Sequence, residues 1–220
     1  MPNHRKQLTF KDEDLWYLVG LVATDGNLSS DGRHIDITAK DRNFLETIKQ
    51  KLELPNKIGI KRNGTGREHH RIQISNKNLY EFLMSVGLTS NKSLSLGELK
   101  IPTERFPDFI RGVIDGDGSI RKWIHPTNKK EQWSLRIYSA APIFINWLKD
   151  EIERNFLATG IVHVDRNLRV LKYGKLAAKR ILKNCYYEGS LSLERKARLA
   201  KICSNSNIGW STSKTLLCAN

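Results

Sequence analysis

The spacing of apolar positions changes period in a fixed order, and that order occurs twice. Behind an acidic start, Asp12-Glu13-Asp14, apolar residues at helical spacing predict a helix over 13–25, with Gly26 as a left-handed terminator. The run His34 to Thr38 alternates with period two, which predicts a half-buried strand. Phe44, Leu45, Ile48 and Leu52 share one face of a helix over 41–52, which stops before Pro55. Residues 57–61 and 68–75 form a predicted hairpin through the Asn63-Gly-Thr-Gly66 turn. A third helix over 77–86 carries Leu79, Phe82, Leu83 and Val86 and ends at Gly87. The same order follows in the second half. It gives a helix opened by Thr103 and Glu104 and closed at Gly118, strands over 119–125 and 132–139, and a helix from Pro142 to 154. Strands over 160–165 and 167–173 come next, then helices over 174–185 and 191–202. The predicted class is α+β, built as two αββαββα units over 8–100 and 101–202, with a connector around 88–103 and a polar tail over 203–220.

Within this repetition one nine-residue pattern recurs 110 − 18 = 92 positions apart: Leu18 to Gly26 reads LVGLVATDG and Ile110 to Gly118 reads IRGVIDGDG. Each copy closes its predicted helix and leaves an acid, Asp25 or Asp117, at the last turn. There a carboxylate faces the negative end of the helix dipole, unfavourable by about 0.3–1 kcal/mol. Two such acids at matching positions point to a shared site. Carboxylates a few Å apart repel and raise at least one pKa unless a divalent cation lies between them. The duplicated Asp is therefore a candidate metal site.

The strands add a second signal. Ile72 and Ile74 alternate with Arg71, Gln73 and Ser75, while Trp133, Leu135 and Ile137 alternate with Gln132, Ser134, Arg136 and Tyr138. Helices can cover the apolar faces. The other faces carry side chains suited to base edges, Arg for guanine and Gln or Asn for adenine.

Composition narrows the partner. Lys plus Arg minus Asp plus Glu gives 37 − 23 = +14, with pI near 9.8, which favours a polyanion, nucleic acid first and anionic membrane second. A hydrophobic content of 39% supports a packed core rather than disorder. No apolar run approaches the ~20 residues that span a bilayer, and the first fourteen residues lack the apolar core of a signal peptide. Three cysteines, Cys185, Cys203 and Cys218, fit free thiols in a reducing intracellular compartment, cytoplasm or organelle matrix, better than a disulfide framework or zinc site.

With both nonamers and the duplicated αββαββα order in view, the chain resembles a LAGLIDADG homing endonuclease of the single-chain, two-motif type. The resemblance covers about residues 8–202. It implies two antiparallel sheets forming a saddle over DNA, motif helices packed at a pseudo-twofold axis, and a double-strand break made in a long asymmetric target by metal-dependent phosphodiester hydrolysis. Carried over by position, the eighth-position acids Asp25 and Asp117 are the metal ligands and catalytic acids, and Gly20 and Gly112 allow close helix contact. The family's basic group near each site falls on Lys92 in NKSLSL and Lys196 in SLSLERKARL, with Arg195 and Arg198 as competitors. Candidate DNA contacts are Arg33, His34, Lys61, Arg67, Arg71, Gln73 and Ser75 in the first half, and Arg121, Gln132, Arg136, Tyr138 and Arg169 in the second.

The first motif departs from the second at its sixth position, Ala23 against Asp115, which can hydrogen-bond within the interface or meet solvent. All-oxygen ligation suits Mg²⁺; Mn²⁺ is expected to substitute, and Ca²⁺ to support binding without cleavage. A ten-residue strand spans roughly 33 Å, near one DNA turn of about 34 Å, so two halves would cover roughly 20 base pairs of double-stranded DNA. The second motif replaces a partner subunit, so a monomer is expected. An RNA-binding maturase acting on intron RNA is the alternative. A regulator on the same fold is expected to lack the acids.

Overall fold

The computed structural model describes residues 11–62, 66, 68–90 and 92–206. The first half runs α1 (Asp12–Thr24), β1 (Gly26–Leu28), β2 (His34–Ala39), α2 (Arg42–Lys51), β3 (Ile58–Arg62), β4 (Glu68–Ser75) and α3 (Lys77–Val86). After a single 3-10 turn at Thr103–Arg105, the second half runs α4 (Phe106–Asp117), β5 (Gly118–Ile124), β6 (Glu131–Ser139), α5 (Pro142–Phe156), β7 (Ile161–Asp165) and β8 (Leu168–Tyr173). It ends with α6 (Lys175–Cys185) and α7 (Glu194–Asn205).

Local chemistry sets several of these boundaries. The Asp41 carboxylate accepts the N–H groups of Asn43 and Phe44 and so starts α2, and the Asn76 side chain does the same for α3 through Leu79 N–H. Gly87 closes α3 in the left-handed region at φ 114°.

Each half forms one four-stranded antiparallel sheet, ordered β1-β2-β4-β3 and β5-β6-β8-β7. Register puts Ile35 and Ile37 opposite Ile74 and Ile72, and Leu135 and Ile137 opposite Tyr173 and Leu171. All eight are buried under the helices. The two sheets share one core because α1 and α4 pack directly on each other. A Cβ on Gly20 would stand 2.0 Å from the Phe109 carbonyl oxygen, and one on Gly112 would stand 2.1 Å from that of Tyr17. Only glycine permits this backbone-on-backbone approach, so the expected close contact is present in both directions.

The structure departs from the sequence expectations at several points. Gly26 is not a left-handed terminator: α1 ends at Asp25 (φ −89°, ψ −4°) and Gly26 is already the first residue of β1. Its role is steric, since a Cβ there would lie 2.6 Å from the Val22 Cα, as one on Gly118 would lie 2.5 Å from the Ile114 carbonyl oxygen. Strand β1, implied by the αββαββα order, could not be located from the sequence, because three residues are too short to display a period. Helix α7 continues to Asn205, into the stretch expected to be tail. Ser134 is on the expected polar face but buried, at 1% exposure. Arg169 is a correction. It pairs with Ser139 and is in phase with the buried Leu171 and Tyr173, so it falls on the helix-covered side rather than the face of Arg136. The alternation LRVLKY is ambiguous, and Lys172, paired with Arg136, is the basic residue on the open face. Arg67 and most of the Asn63–Gly66 turn lie outside the described residues, as do residues 207–220 with Trp210 and Cys218.

Candidate active site and nucleic-acid face

The packed helices α1 and α4 end side by side, and this brings their terminal acids together. Asp25 caps α1 and Asp117 is the last residue of α4. A Cβ on Gly116 of α4 would lie 3.5 Å from an Asp25 carboxylate oxygen, so the first acid reaches across to the second helix. Neither carboxylate makes a hydrogen bond or ion pair with another described residue. Both residues are exposed, yet enough protein surrounds their carboxyls to desolvate them in part. Partial desolvation, then the neighbouring Asp117 charge, push the Asp25 carboxyl up to about 6. Desolvation likewise raises Asp117.

The two lysines expected near the acids are there, and both are buried, at 6% and 2% exposure. Lys92 donates to the Gly26 carbonyl at the end of α1. Lys196 donates to three carbonyls at the end of α4: Ile114 (2.6 Å), Asp115 (2.7 Å) and Gly116 (3.2 Å). The C-terminal carbonyls of a helix lack intrahelical partners, so an ammonium satisfies them and meets the negative end of the dipole. Burial lowers both lysines to about 8, opposed by the charges of Asp25, Asp117 and, for Lys196, Asp115. Arg195 and Arg198 are exposed. Beside Asp117 and Lys92 opens a pocket of about 200 Å³ whose lining also includes Thr24, Tyr138 and Leu168.

A divalent ion fits this donor set. Two carboxylates without a hydrogen-bond partner among the described residues, both raised by burial, supply hard oxygen ligands. Among the described residues no group of three or more His, Cys, Asp or Glu could hold a metal, so the remaining ligands would be water or substrate oxygens.

The open face of each sheet spreads away from this centre. In the first sheet it carries His34, Asp36 and Thr38 against Ser75, Gln73 and Arg71, with Lys61 at the edge strand. Arg71 is held by Asp36 at 2.9 Å, and His34 is bound to Asp31, which also pairs with Arg33 at 3.8 Å. In the second sheet Arg121 faces Ser134, and Arg136 sits between Ser119 and Lys172, with Gln132 and Tyr138 on the same side. The Arg136 Nε, the Ser134 hydroxyl and the His70 Nδ1 are buried without a hydrogen-bond partner.

Sequence reasoning missed a buried polar cluster beneath the second motif. Asp115 accepts hydrogen bonds from the Tyr17 hydroxyl (2.9 Å), the Tyr186 hydroxyl (2.6 Å) and the Leu193 N–H (2.6 Å). Arg111, fully buried, donates to Asp108 (2.8 Å) and to the carbonyls of Leu191 (2.8 Å) and Cys185 (2.9 Å), and lies over the rings of Tyr17 and Tyr187. A charged residue at the second position of an otherwise apolar motif was the available signal. Asp115 takes the first of the two roles left open for it.

Comparison with known proteins adds a partial family match and the fold. Residues 12–87 match the family model described as a LAGLIDADG-like domain. Over those residues the chain resembles that family. No curated protein sequence matches it. Among solved structures, the homing endonuclease I-WcaI bound to its DNA recognition sequence aligns at TM-score 0.60 and 14% identity, over 84% of this chain and 88% of that one. I-DmoI in complex with DNA and Ca aligns at TM-score 0.56 and 17% identity, over 86% and 97%. Full-length DUF199/WhiA from Thermatoga maritima aligns at TM-score 0.58 and 16% identity over 93% of this chain, which spans only 64% of that protein. At these identities the likeness establishes the fold.

Proposed function

We propose that the protein is a site-specific endonuclease that makes a double-strand break in an asymmetric duplex target, with Asp25 and Asp117 as ligands of divalent metal. The observation that carries this reading is the pairing of two acids, without a hydrogen-bond partner among the described residues, with two buried lysines where the two motif helices end. I-WcaI and I-DmoI, which share the fold, are DNA-bound in their structures, and a single-substitution variant of I-DmoI has been crystallised with its target in the presence of Mg.

Phosphodiester hydrolysis needs an attacking water, neutralisation of phosphate charge and a stabilised leaving 3′ oxygen. Bound metal supplies Lewis-acid neutralisation and a water of lowered pKa. The chain's own groups do the rest. Asp25 and Asp117, at the C-terminal ends of α1 and α4, would hold the ion. Lys92 and Lys196, fixed by helix carbonyls, place positive charge beside the phosphate. The sheets supply Arg136, Gln132, Gln73 and Ser75 to base edges, while the net charge of +14 binds phosphates. The sheet faces differ, so the target differs between its halves.

The test is incubation of the protein with a randomised duplex library and Mg²⁺, followed by sequencing of cut ends. A single long asymmetric consensus cut on both strands is the expected result; uncut DNA overturns it. DNA binding without cleavage would instead yield retained, intact duplexes of one sequence.

A further inference from the structure

The two lysines are held by different means, and the difference traces to the sixth motif position. Asp115 accepts the N–H of Leu193, the residue that caps α7. The carbonyl of the same Leu193 accepts the Lys196 N–H at 2.8 Å. One residue thus links the Asp115 carboxylate to the Lys196 backbone, and the Lys196 ammonium returns to the carbonyls of residues 114–116. The loop closed by this circuit is also fastened by Arg111 at Cys185 and Leu191, by Tyr186 on Asp115 and by Tyr187 on Asp108 (2.6 Å).

The matching positions of the first motif helix are Trp16, Val19 and Ala23, none able to form such a clamp. Lys92 sits in a turn closed by Ser95 and Leu96 N–H on its own carbonyl, and among the described residues its ammonium makes one hydrogen bond, to the Gly26 carbonyl. Buried Leu88, Leu96 and Leu99 hold that segment by packing.

We propose that Asp115 is a positioning residue for Lys196, and that the two strands of a bound duplex are cut with unequal dependence on it. This rests on the endonuclease reading. Among the described residues no hydrogen bond joins Asp115 to Lys92 or to Gly26, and its one link to α1 is through Tyr17, about two turns before the helix end. Loss of Asp115 therefore lets the capped start of α7 shift and misplaces one of the two cationic groups.

The experiment uses the full chain, Mg²⁺ and the selected duplex labelled differently on each strand, with single-turnover rates read strand by strand. For Asp115→Ala, which copies Ala23, one strand should slow by up to about 10²-fold, the scale of a misplacement of about 1 Å, while the other stays within about twofold and nicked duplex accumulates. Asp115→Asn keeps an oxygen to accept Leu193 N–H and should restore most of the lost rate. Partial unfolding lowers both rates together, so the ratio between strands separates positioning from stability. If Asp115→Ala does not fold, Tyr186→Phe removes one donor to the carboxylate and should slow the same strand by less. Parallel slowing of both strands, or no change in the ratio, overturns the proposal. Failure of the endonuclease reading looks different, since the parent chain then cuts neither strand.

Discussion

Residues 88–102 and 185–196 do the same job in the two halves, bringing a buried lysine to the end of a motif helix, yet they are built from opposite materials. The first is held by apolar packing, with a single side-chain hydrogen bond from Lys92 to the motif helix end. The second is fastened to α4 by a buried polar cluster of Asp108, Arg111 and Asp115. Apolar packing is non-directional and tolerates small shifts, whereas a satisfied buried polar network specifies one geometry and fails sharply when a member is lost. Duplication preserved the acids and glycines and left the support for the lysines free to diverge.

The largest effect should come from breaking the polar clamp. Arg111→Met would leave buried Asp108 with only the 4.0 Å contact to half-exposed Arg105 in place of its 2.8 Å partner, a loss approaching the about 3–5 kcal/mol of a broken buried pair. Chemical denaturation should show it, and Asp108→Asn in the same chain should recover part. A loss under about 1 kcal/mol would mean the clamp is as dispensable as Val19 makes it in the first half.

Gly20→Ala and Gly112→Ala sharpen the comparison from the other side, because here the halves should behave alike. Each Cβ meets a carbonyl oxygen of the opposing helix at about van der Waals overlap, 2.0 and 2.1 Å. Overpacking costs typically 1–3 kcal/mol and more where backbone must move, so each melting temperature should fall by several degrees. An unchanged value for one glycine alone would show that the helices do not pack symmetrically.

A smaller effect is set by pH. The Asp25 carboxyl is raised from 3.8 to about 6, so the folded protein takes up a proton that the unfolded chain does not hold between those values. By linkage, folding weakens as pH rises through that window, while metal ligation needs the ionised form and weakens as pH falls through about 6. The Mg²⁺ concentration for half-maximal cleavage should therefore rise about tenfold per pH unit below about 6, since the ionised fraction falls tenfold per unit below a pKa. A requirement flat between pH 5 and 7 would remove Asp25 from the ligand set.

The sequence made the repeated architecture legible because each half repeats a change of period, from 3.6 to 2 and back, and because Asp-Gly closes both motif helices. Lys92 and Lys196 were found only through the family resemblance, since an isolated lysine carries no local sign of burial. Asp115 and Arg111 were visible as departures from the first motif. Their partners Tyr186, Tyr187 and Leu193 lie more than 70 residues away in sequence, a contact that no local period encodes. Arg169 was misplaced for a related reason: in LRVLKY either phase leaves one charged residue on each face, and only pairing with Ser139 decides between them. The pairing of Arg71 with Asp36 was hidden in the same way, by register across two strands.

The central claim is that Asp25 and Asp117 hold metal at one shared centre between the halves. Binding and cleavage of the selected duplex, measured side by side for the parent, Asp25→Asn and Asp117→Asn, test it most directly. The account predicts that both variants lose double-strand cleavage in Mg²⁺ while retaining sequence-specific binding; near-normal cutting by either would contradict it.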